Sequence, residues 1–262
     1  MGQREAADSA MPSLDDVIAI AVEAGKVILK HRQHPHAREK GDHGDDTSPV
    51  TDADLAANRH ITEHLKKLNP NIPIISEEIR SVDYETRKHW RSFWVVDPLD
   101  GTKEFIKGSD EFTVNIALVD EMEPLLGVIY TPAKDLLYYA EKGHGSWKRD
   151  GEHAPVRIYS EVPDLAKGLV VVESASHPSA ELENYLKDLP VKERIYAGSS
   201  LKFCLVAEGA ADIYPRMGPT MEWDVAAGDC IYRNSARLGQ RSTSFTYNKP
   251  SLKNETFVIG FK

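Results

Sequence analysis

The sequence predicts a layered α/β protein, and three observations predict it. Two amphipathic helical stretches lie near the N-terminus, the middle is rich in strands, and strands and helices alternate from residue 169 onward. A chain of 262 residues can bury a sizeable core as one large unit or two fused halves. With 41% hydrophobic and 28% charged residues it sits near the globular average, which excludes disordered and fibrous classes. The formal net charge of −9 argues against binding nucleic acid polymers or anionic membranes through bulk electrostatics. An anionic small molecule must then be met by metal ions or by a local cluster of Lys and Arg.

The elements follow in chain order. Residues 1–12 read as a flexible lead-in, and Met1-Gly2-Gln3-Arg4-Glu5 lacks the apolar core of a secretory signal. Ser13 is placed to cap a helix running to about residue 32, with apolar residues at 14, 17, 18, 21, 22 and 28. From His34 to Pro49 the periodicity is lost. His31, His34, His36 and His43 are irregularly spaced and have no Cys partner, so a solvated mobile loop is favoured over a transition-metal site. Thr51-Asp52 opens a second helix with Leu55, Ile61, Leu65 and Leu68 along one stripe. A short apolar strand ends at Ser76-Glu77-Glu78, residues 81–91 form a polar helical excursion, and Phe93 to Val96 reads as a buried strand.

Strands at 112–118, 125–130 and 136–140 make up the middle, and Asp150-Gly151 marks a hairpin turn. A strand at 169–173, a helix near 179–188, a strand around Ile195, a helix at 200–208, a strand at 211–215 and a helix at 222–235 complete the pattern. The alternation suggests a second sheet layered between helices, with a boundary around residues 150–168. This divides the chain into halves at 13–155 and 156–262. No apolar run is long enough for a transmembrane segment. Cys204 and Cys230 lie in apolar helical patterns and are expected as free buried thiols of a reducing cytoplasm.

The chemistry concentrates in Asp97-Pro98-Leu99-Asp100-Gly101-Thr102. A buried strand ends on a carboxylate, Pro98 supplies no N–H, and the strand is expected to stop there. Two carboxylates, the Leu99 carbonyl and the Gly101 and Thr102 amides then share one stiff corner at a strand's C-terminal end, where sheet-based sites lie. Hard cations such as Mg²⁺ take oxygen ligands of this kind, and phosphate takes the amides beside them. Alone, the same residues also describe a solvated turn. Two further acidic signals favour the site: Glu77 at a strand end, and Asp224 at the start of an apolar helix.

Asp97-Pro98-Leu99-Asp100-Gly101-Thr102 and Trp223-Asp224-Val225-Ala226-Ala227-Gly228 resemble the two signatures of the inositol monophosphatase superfamily of Mg²⁺-dependent, lithium-sensitive phosphatases. Pro49-Val50-Thr51-Asp52-Ala53-Asp54, Ser76-Glu77-Glu78, Gly198-Ser199-Ser200-Leu201-Lys202 and Tyr214-Pro215-Arg216 are similar to its CysQ-type 3′(2′),5′-bisphosphate nucleotidases. The resemblance runs from about residue 13 to the C-terminus and implies an α-β-α-β-α sandwich. It implies two or three Mg²⁺ ions: the first on Glu77, Asp97 and the Leu99 carbonyl, the second on Asp97, Asp100 and Asp224, and a weaker third near Glu77 with Lys40 as contributor. Asp52 would hydrogen-bond Thr102 and orient the attacking water, though a helix N-cap or first-turn acid is its plain reading. Four carboxylates in one pocket repel without cations, so a metal-free site is expected to be loosely ordered.

For substrate the resemblance implies a nucleotide, 3′-phosphoadenosine 5′-phosphate, hydrolysed to AMP and phosphate in sulfate assimilation. Gly101 and Thr102 would hold the reacting phosphate. Lys103, Ser199, Ser200, Lys202 and Arg216 would hold the rest, although Ser200 also reads as a helix cap and Lys202 and Arg216 as surface charges. Where inositol-specific members carry a Glu ahead of the Trp-Asp motif, this chain has Arg216-Met217-Gly218. Other phosphatases of the superfamily and a non-catalytic nucleotide or metal sensor are the alternatives. A haloacid-dehalogenase phosphatase would need Asp-x-Asp, but two residues separate Asp97 from Asp100. A monomer and a homodimer are both compatible with the sequence. So are a cytoplasmic location and peripheral attachment at the inner membrane. The C-terminal tail is short for the family, so the last layer is expected to be trimmed.

Overall fold

Ser13 starts the first helix as the spacing predicts, its hydroxyl accepting the Asp16 N–H at 3.2 Å. The computed structural model describes residues 11–33, 35, 37–39, 49–79, 82–174 and 179–260. Helix α1 (Leu14–Lys30) is followed by β1 (Ala37–Glu39) and β2 (Pro49–Thr51), which pair antiparallel, and by α2 (Asp52–Leu68). Residues 1–10, His34, His36, Lys40 and His43 lie outside the described residues, as does most of the segment read as a mobile loop.

Strand β3 (Ile74–Ser76), helix α3 (Tyr84–Arg87), β4 (Ser92–Asp100) and α4 (Thr102–Ile106) come next. The antiparallel run β5 (Thr113–Asp120), β6 (Glu123–Thr131), β7 (Leu136–Glu141), β8 (Gly145–Asp150) and β9 (Val156–Ile158) completes a seven-stranded sheet ordered β3 to β9. Only the β3–β4 pair in it is parallel. The remainder comprises β10 (Leu169–Glu173), α5 (Ala180–Leu186), β11 (Val191–Tyr196), α6 (Leu201–Ala207), β12 (Tyr214–Arg216), β13 (Thr220–Met221), α7 (Glu222–Arg233), β14 (Lys253–Asn254) and β15 (Phe257–Ile259).

The period-2 geometry of β4 explains the layering. Trp94 and Val96 pack with α1 and α2 on one face, whereas Phe93 and Val95 pack with α6 and α7 on the other. Such a sheet, covered on both sides, reads as the continuous apolar run seen at 93–96. Val172, Tyr214, Phe257 and Ile259 of the second set of strands cover the far side of α6 and α7. Leu182 and Leu186 of α5 close the last layer against Leu169 and Val171. Helices, sheet, helices, sheet and helix make the five-layered sandwich.

One expectation changes. The first sheet's β4 does not stop at Pro98. It continues to Asp100 through a bulge, pairing Asp97 with Asn115 and Asp100 with Thr113, so that Pro98 and Leu99 fall where no ladder bond is required. The C-terminal tail packs inward. Phe245, Tyr247, Leu252, Phe257 and Ile259 are all buried in the core around α6 and α7.

The tail also reaches α7. The Glu222 carboxylate, fully buried, accepts the Asn248 N–H at 2.7 Å, the Lys249 N–H at 2.9 Å and Lys249 Nζ at 2.8 Å. Arg87, buried beside it, donates to Asn248 Oδ1 and to the Lys249 and Pro250 carbonyls, each at 2.6 Å.

Candidate active site

The bulge at the end of β4 sets the centre of the site. Asp97 is 2% exposed, and its Oδ1 accepts the Leu99 N–H at 3.1 Å, a local turn that fixes the carboxylate. Glu77 arrives beside it because β3 runs parallel to β4, with the Glu77 N–H donating to the Val96 carbonyl at 3.2 Å. Asp224 is delivered by the first turn of α7, where the Met221 N–H donates to its Oδ2 at 2.7 Å. Burial, then the charges of Glu77, Asp100 and Asp224, push the Asp97 carboxyl well above the usual carboxylate range. Burial and the Asp100 charge likewise raise Asp224. Asp100 is raised by burial, with Lys202, Ser200 and Asn115 opposing. These shifts record a set of buried like charges that a divalent cation would neutralise.

The donor set of Glu77, Asp97, Asp100 and Asp224, with the Leu99 carbonyl, consists of hard oxygens and fits Mg²⁺ by its chemistry. Among the described residues no group of three Asp, Glu, His or Cys side chains already converges as a metal cage. The fit to the cation rests on the donor chemistry and on the mutual electrostatics of these carboxylates.

One predicted contact is corrected. The Thr102 hydroxyl donates to Asp54 Oδ1 at 2.9 Å, not to Asp52. Thr51 is the N-cap of α2, so Asp52 is its first residue and Asp54 its third. The third position turns back to the cap: Asp54 Oδ2 accepts the Thr51 N–H at 2.7 Å and the Thr51 hydroxyl at 2.6 Å. Residues two apart on a helix point to different sides, and Asp54 is the inward one, 1% exposed. Burial raises its carboxyl while the Thr51 and Thr102 bonds pull it back.

The opposite wall comes from the second half of the chain. A cleft of about 130 Å³ runs from Asp100, Gly101 and Asp224 to Lys202, Tyr214 and Arg216. Lys202 is no surface charge. It is 5% exposed, donates to the Ser199 and Ala197 carbonyls at 2.8 and 3.2 Å, and lies 5.5 Å from the Tyr214 ring centre. Burial lowers its amine to about 8, against the opposing pull of Asp100. Arg216 keeps a buried Nε with no hydrogen-bond partner.

Ser199 and Ser200 line the cleft and bond to the acidic corner. Ser199 Oγ donates to the Asp100 carbonyl at 2.8 Å, and Ser200 Oγ to Asp100 Oδ2, also at 2.8 Å. Gly101 caps α4 with φ +91°, a conformation that favours glycine. Lys103 is exposed on α4, while its neighbour Glu104 lines the cleft. Asn115 was not foreseen. Its Nδ2 donates to Ser200 Oγ at 2.7 Å from a position 1% exposed, and the signal was a polar residue at an interior position of a buried strand.

The pattern of the inositol monophosphatase family matches residues 13–235, and the chain belongs to that family. Within it, the chain is 48% identical to the 3′(2′),5′-bisphosphate nucleotidase CysQ of Salmonella typhimurium over 83% of its own length and 86% of the relative's. It is 35% identical to the Haemophilus influenzae nucleotidase of the same name, over 94% of this chain and 91% of that one. The crystal structure of CysQ from Bacteroides thetaiotaomicron superposes with a TM-score of 0.73 at 37% identity, covering 93% of this chain and 95% of the other.

Proposed function

We propose that this chain is a Mg²⁺-dependent 3′(2′),5′-bisphosphate nucleotidase. It removes the 3′-phosphate of 3′-phosphoadenosine 5′-phosphate with water, giving AMP and phosphate, a step that serves sulfate assimilation. The observation that carries the reading is a buried carboxylate corner facing a buried Lys and an Arg with an unpartnered donor across one cleft. The first suits phosphoryl hydrolysis, and the second suits another phosphate on the same molecule.

Glu77, Asp97 and the Leu99 carbonyl would hold one Mg²⁺, and Asp97, Asp100 and Asp224 a second. Bound there, Mg²⁺ supplies charge neutralisation on the phosphate and acidifies water. Thr102, donating a hydrogen bond to Asp54, presents a lone pair to a hydrogen of the attacking water. The buried Asp54 carboxylate can draw that proton through the hydroxyl. The Gly101 and Thr102 amides hold oxygens of the reacting phosphate. Lys202 and Arg216 hold the second phosphate by charge-assisted bonds. Ser199 and Ser200 brace Asp100, and Lys103 stands at the rim. The buried free thiols of Cys204 and Cys230 suit a reducing compartment, and the cytoplasm is the proposed location. No described helix is long and apolar enough to cross a membrane.

Phosphate release from 3′-phosphoadenosine 5′-phosphate, inositol 1-phosphate and fructose 1,6-bisphosphate, with and without Mg²⁺, tests the reading. The nucleotide should be hydrolysed fastest and only with the metal. Faster turnover of inositol 1-phosphate would overturn the assignment. A phosphoaspartate trapped at Asp97 would replace direct attack by water with a covalent route.

A further inference from the structure

We propose that Glu111 is a positioning residue for substrate choice, a latch holding the loop 197–200 so that Lys202 is presented to the second phosphate. The inference rests on the nucleotidase reading and concerns a residue outside both the acidic corner and the basic wall. Glu111 Oε2 accepts the Gly198 N–H at 2.9 Å. Its backbone carbonyl lies 3.0 Å from Ser199 Oγ, the hydroxyl that also reaches the Asp100 carbonyl. The carbonyls that hold Lys202 Nζ belong to Ala197 and Ser199, on either side of Gly198. Glu111 therefore grips the centre of the short stretch that orients the amine.

Backbone geometry makes this grip specific. A Cβ at Gly198 would stand 2.6 Å from the Glu111 carbonyl oxygen and 2.9 Å from its Cβ, so only glycine lets the two strands of chain approach. Ser199 sits at φ +52°, left-handed and unfavourable for a residue with a side chain. A conformation of that kind persists only where its surroundings over-determine it, and Glu111 supplies two of the contacts. Glu111 is itself anchored from the first half of the chain. Lys134 Nζ lies 3.4 Å from its Oε1, and Arg32 donates to the Gly108 carbonyl at 3.0 Å and pairs with Asp110 just before it. The Glu111 side chain is 36% exposed, so its loss leaves no cavity in the core.

The test compares kcat/KM for 3′-phosphoadenosine 5′-phosphate with kcat/KM for 3′-AMP, which lacks the second phosphate. In Glu111→Ala the ratio of the two should fall about tenfold, as expected for losing one charge-assisted contact to the bisphosphate. Glu111→Gln keeps an oxygen that can accept the Gly198 N–H and should restore most of the ratio. Gly198→Ala, which forces the latch open from the other side, should reproduce the alanine result and serves if Glu111→Ala does not fold. Equal losses on both substrates, or a Gln variant as poor as the Ala variant, would overturn the latch. If the unaltered enzyme shows no preference for the bisphosphate over 3′-AMP, the substrate reading fails first and the latch falls with it.

Discussion

The acidic corner and the basic wall face each other across one cleft, but they are fixed over very different distances along the chain. In the corner, Asp97 is tied two residues away to Leu99, Asp54 three residues away to Thr51, and Asp224 three residues away to Met221. In the wall, Ser199 is tied to Asp100 99 residues away, Gly198 to Glu111 87 away, and Ser200 to Asn115 85 away. Local devices (a turn, a capping box, a helix start) fix the directions of Asp97, Asp54 and Asp224. Long-range contacts fix the loop 198–200, whose Ser199 carbonyl in turn orients Lys202. The corner should therefore lose function without losing structure when a single charge is removed. The wall should lose discrimination before it loses turnover.

The strongest way to break that contrast is Asp100→Asn. It keeps an acceptor for the Ser200 hydroxyl but removes one negative charge from the proposed metal ligand set. Turnover should fall on the order of a thousandfold, about 4 kcal/mol of barrier, as expected when a metal's charge stabilisation is lost. Thermal unfolding without metal should not worsen, because a buried like charge has gone. Near-normal turnover at saturating Mg²⁺ would reduce Asp100 to a turn residue.

A paired substitution sharpens the local side. Asp54→Asn should lower kcat by about a hundredfold or more, the usual scale for a positioned proton acceptor. Asp52→Asn, on the other side of the helix start, should stay within about threefold. The opposite order would restore Asp52 as the partner of the attacking water.

Smaller effects are expected at the wall. Lys202→Met should cost the bisphosphate about tenfold to a hundredfold in kcat/KM and 3′-AMP much less, the scale of one charge-assisted bond. Burial lowers this amine from 10.5 to about 8, so the unaltered enzyme should lose kcat/KM for the bisphosphate as pH rises through that value. The Met variant should lack this limb. The sign of the stability effect is opposite. Between about 8 and 10.5 the unfolded chain binds the proton that the folded chain has released, so Lys202 makes stability rise with pH over that window. An unchanged pH profile in the Met variant would show that another group titrates there.

The same contrast decides what could be read from sequence. Helix caps, strand periodicity and the two acidic motifs are short-range features, and the layers and the carboxylate corner were legible from them. Even there the error at Asp52 was one of helix phase. Thr51 as cap with Asp54 at the third position is a capping-box pattern that sends Asp54 inward. The bulge at Pro98 was not legible, because proline's missing N–H ends a strand only where a neighbour demands that bond. Lys202 read equally well as a surface charge. Its burial depends on Tyr214 and on the carbonyls of a loop whose shape is set by Glu111 and Asp100. No spacing rule links residues so far apart.

The proposed roles divide the substrate: the acidic corner takes the phosphate that leaves and the basic wall takes the one that stays. A crystal structure with AMP and Ca²⁺, a cation that tolerates looser geometry than Mg²⁺, tests it most directly. The 5′-phosphate should lie within hydrogen-bond distance of Lys202 Nζ and the Arg216 guanidinium, with the ribose 3′-hydroxyl turned toward Asp100 and Thr102. A 5′-phosphate bound instead among Asp97, Asp100 and Asp224, or resting against Lys103 at the rim, would contradict it.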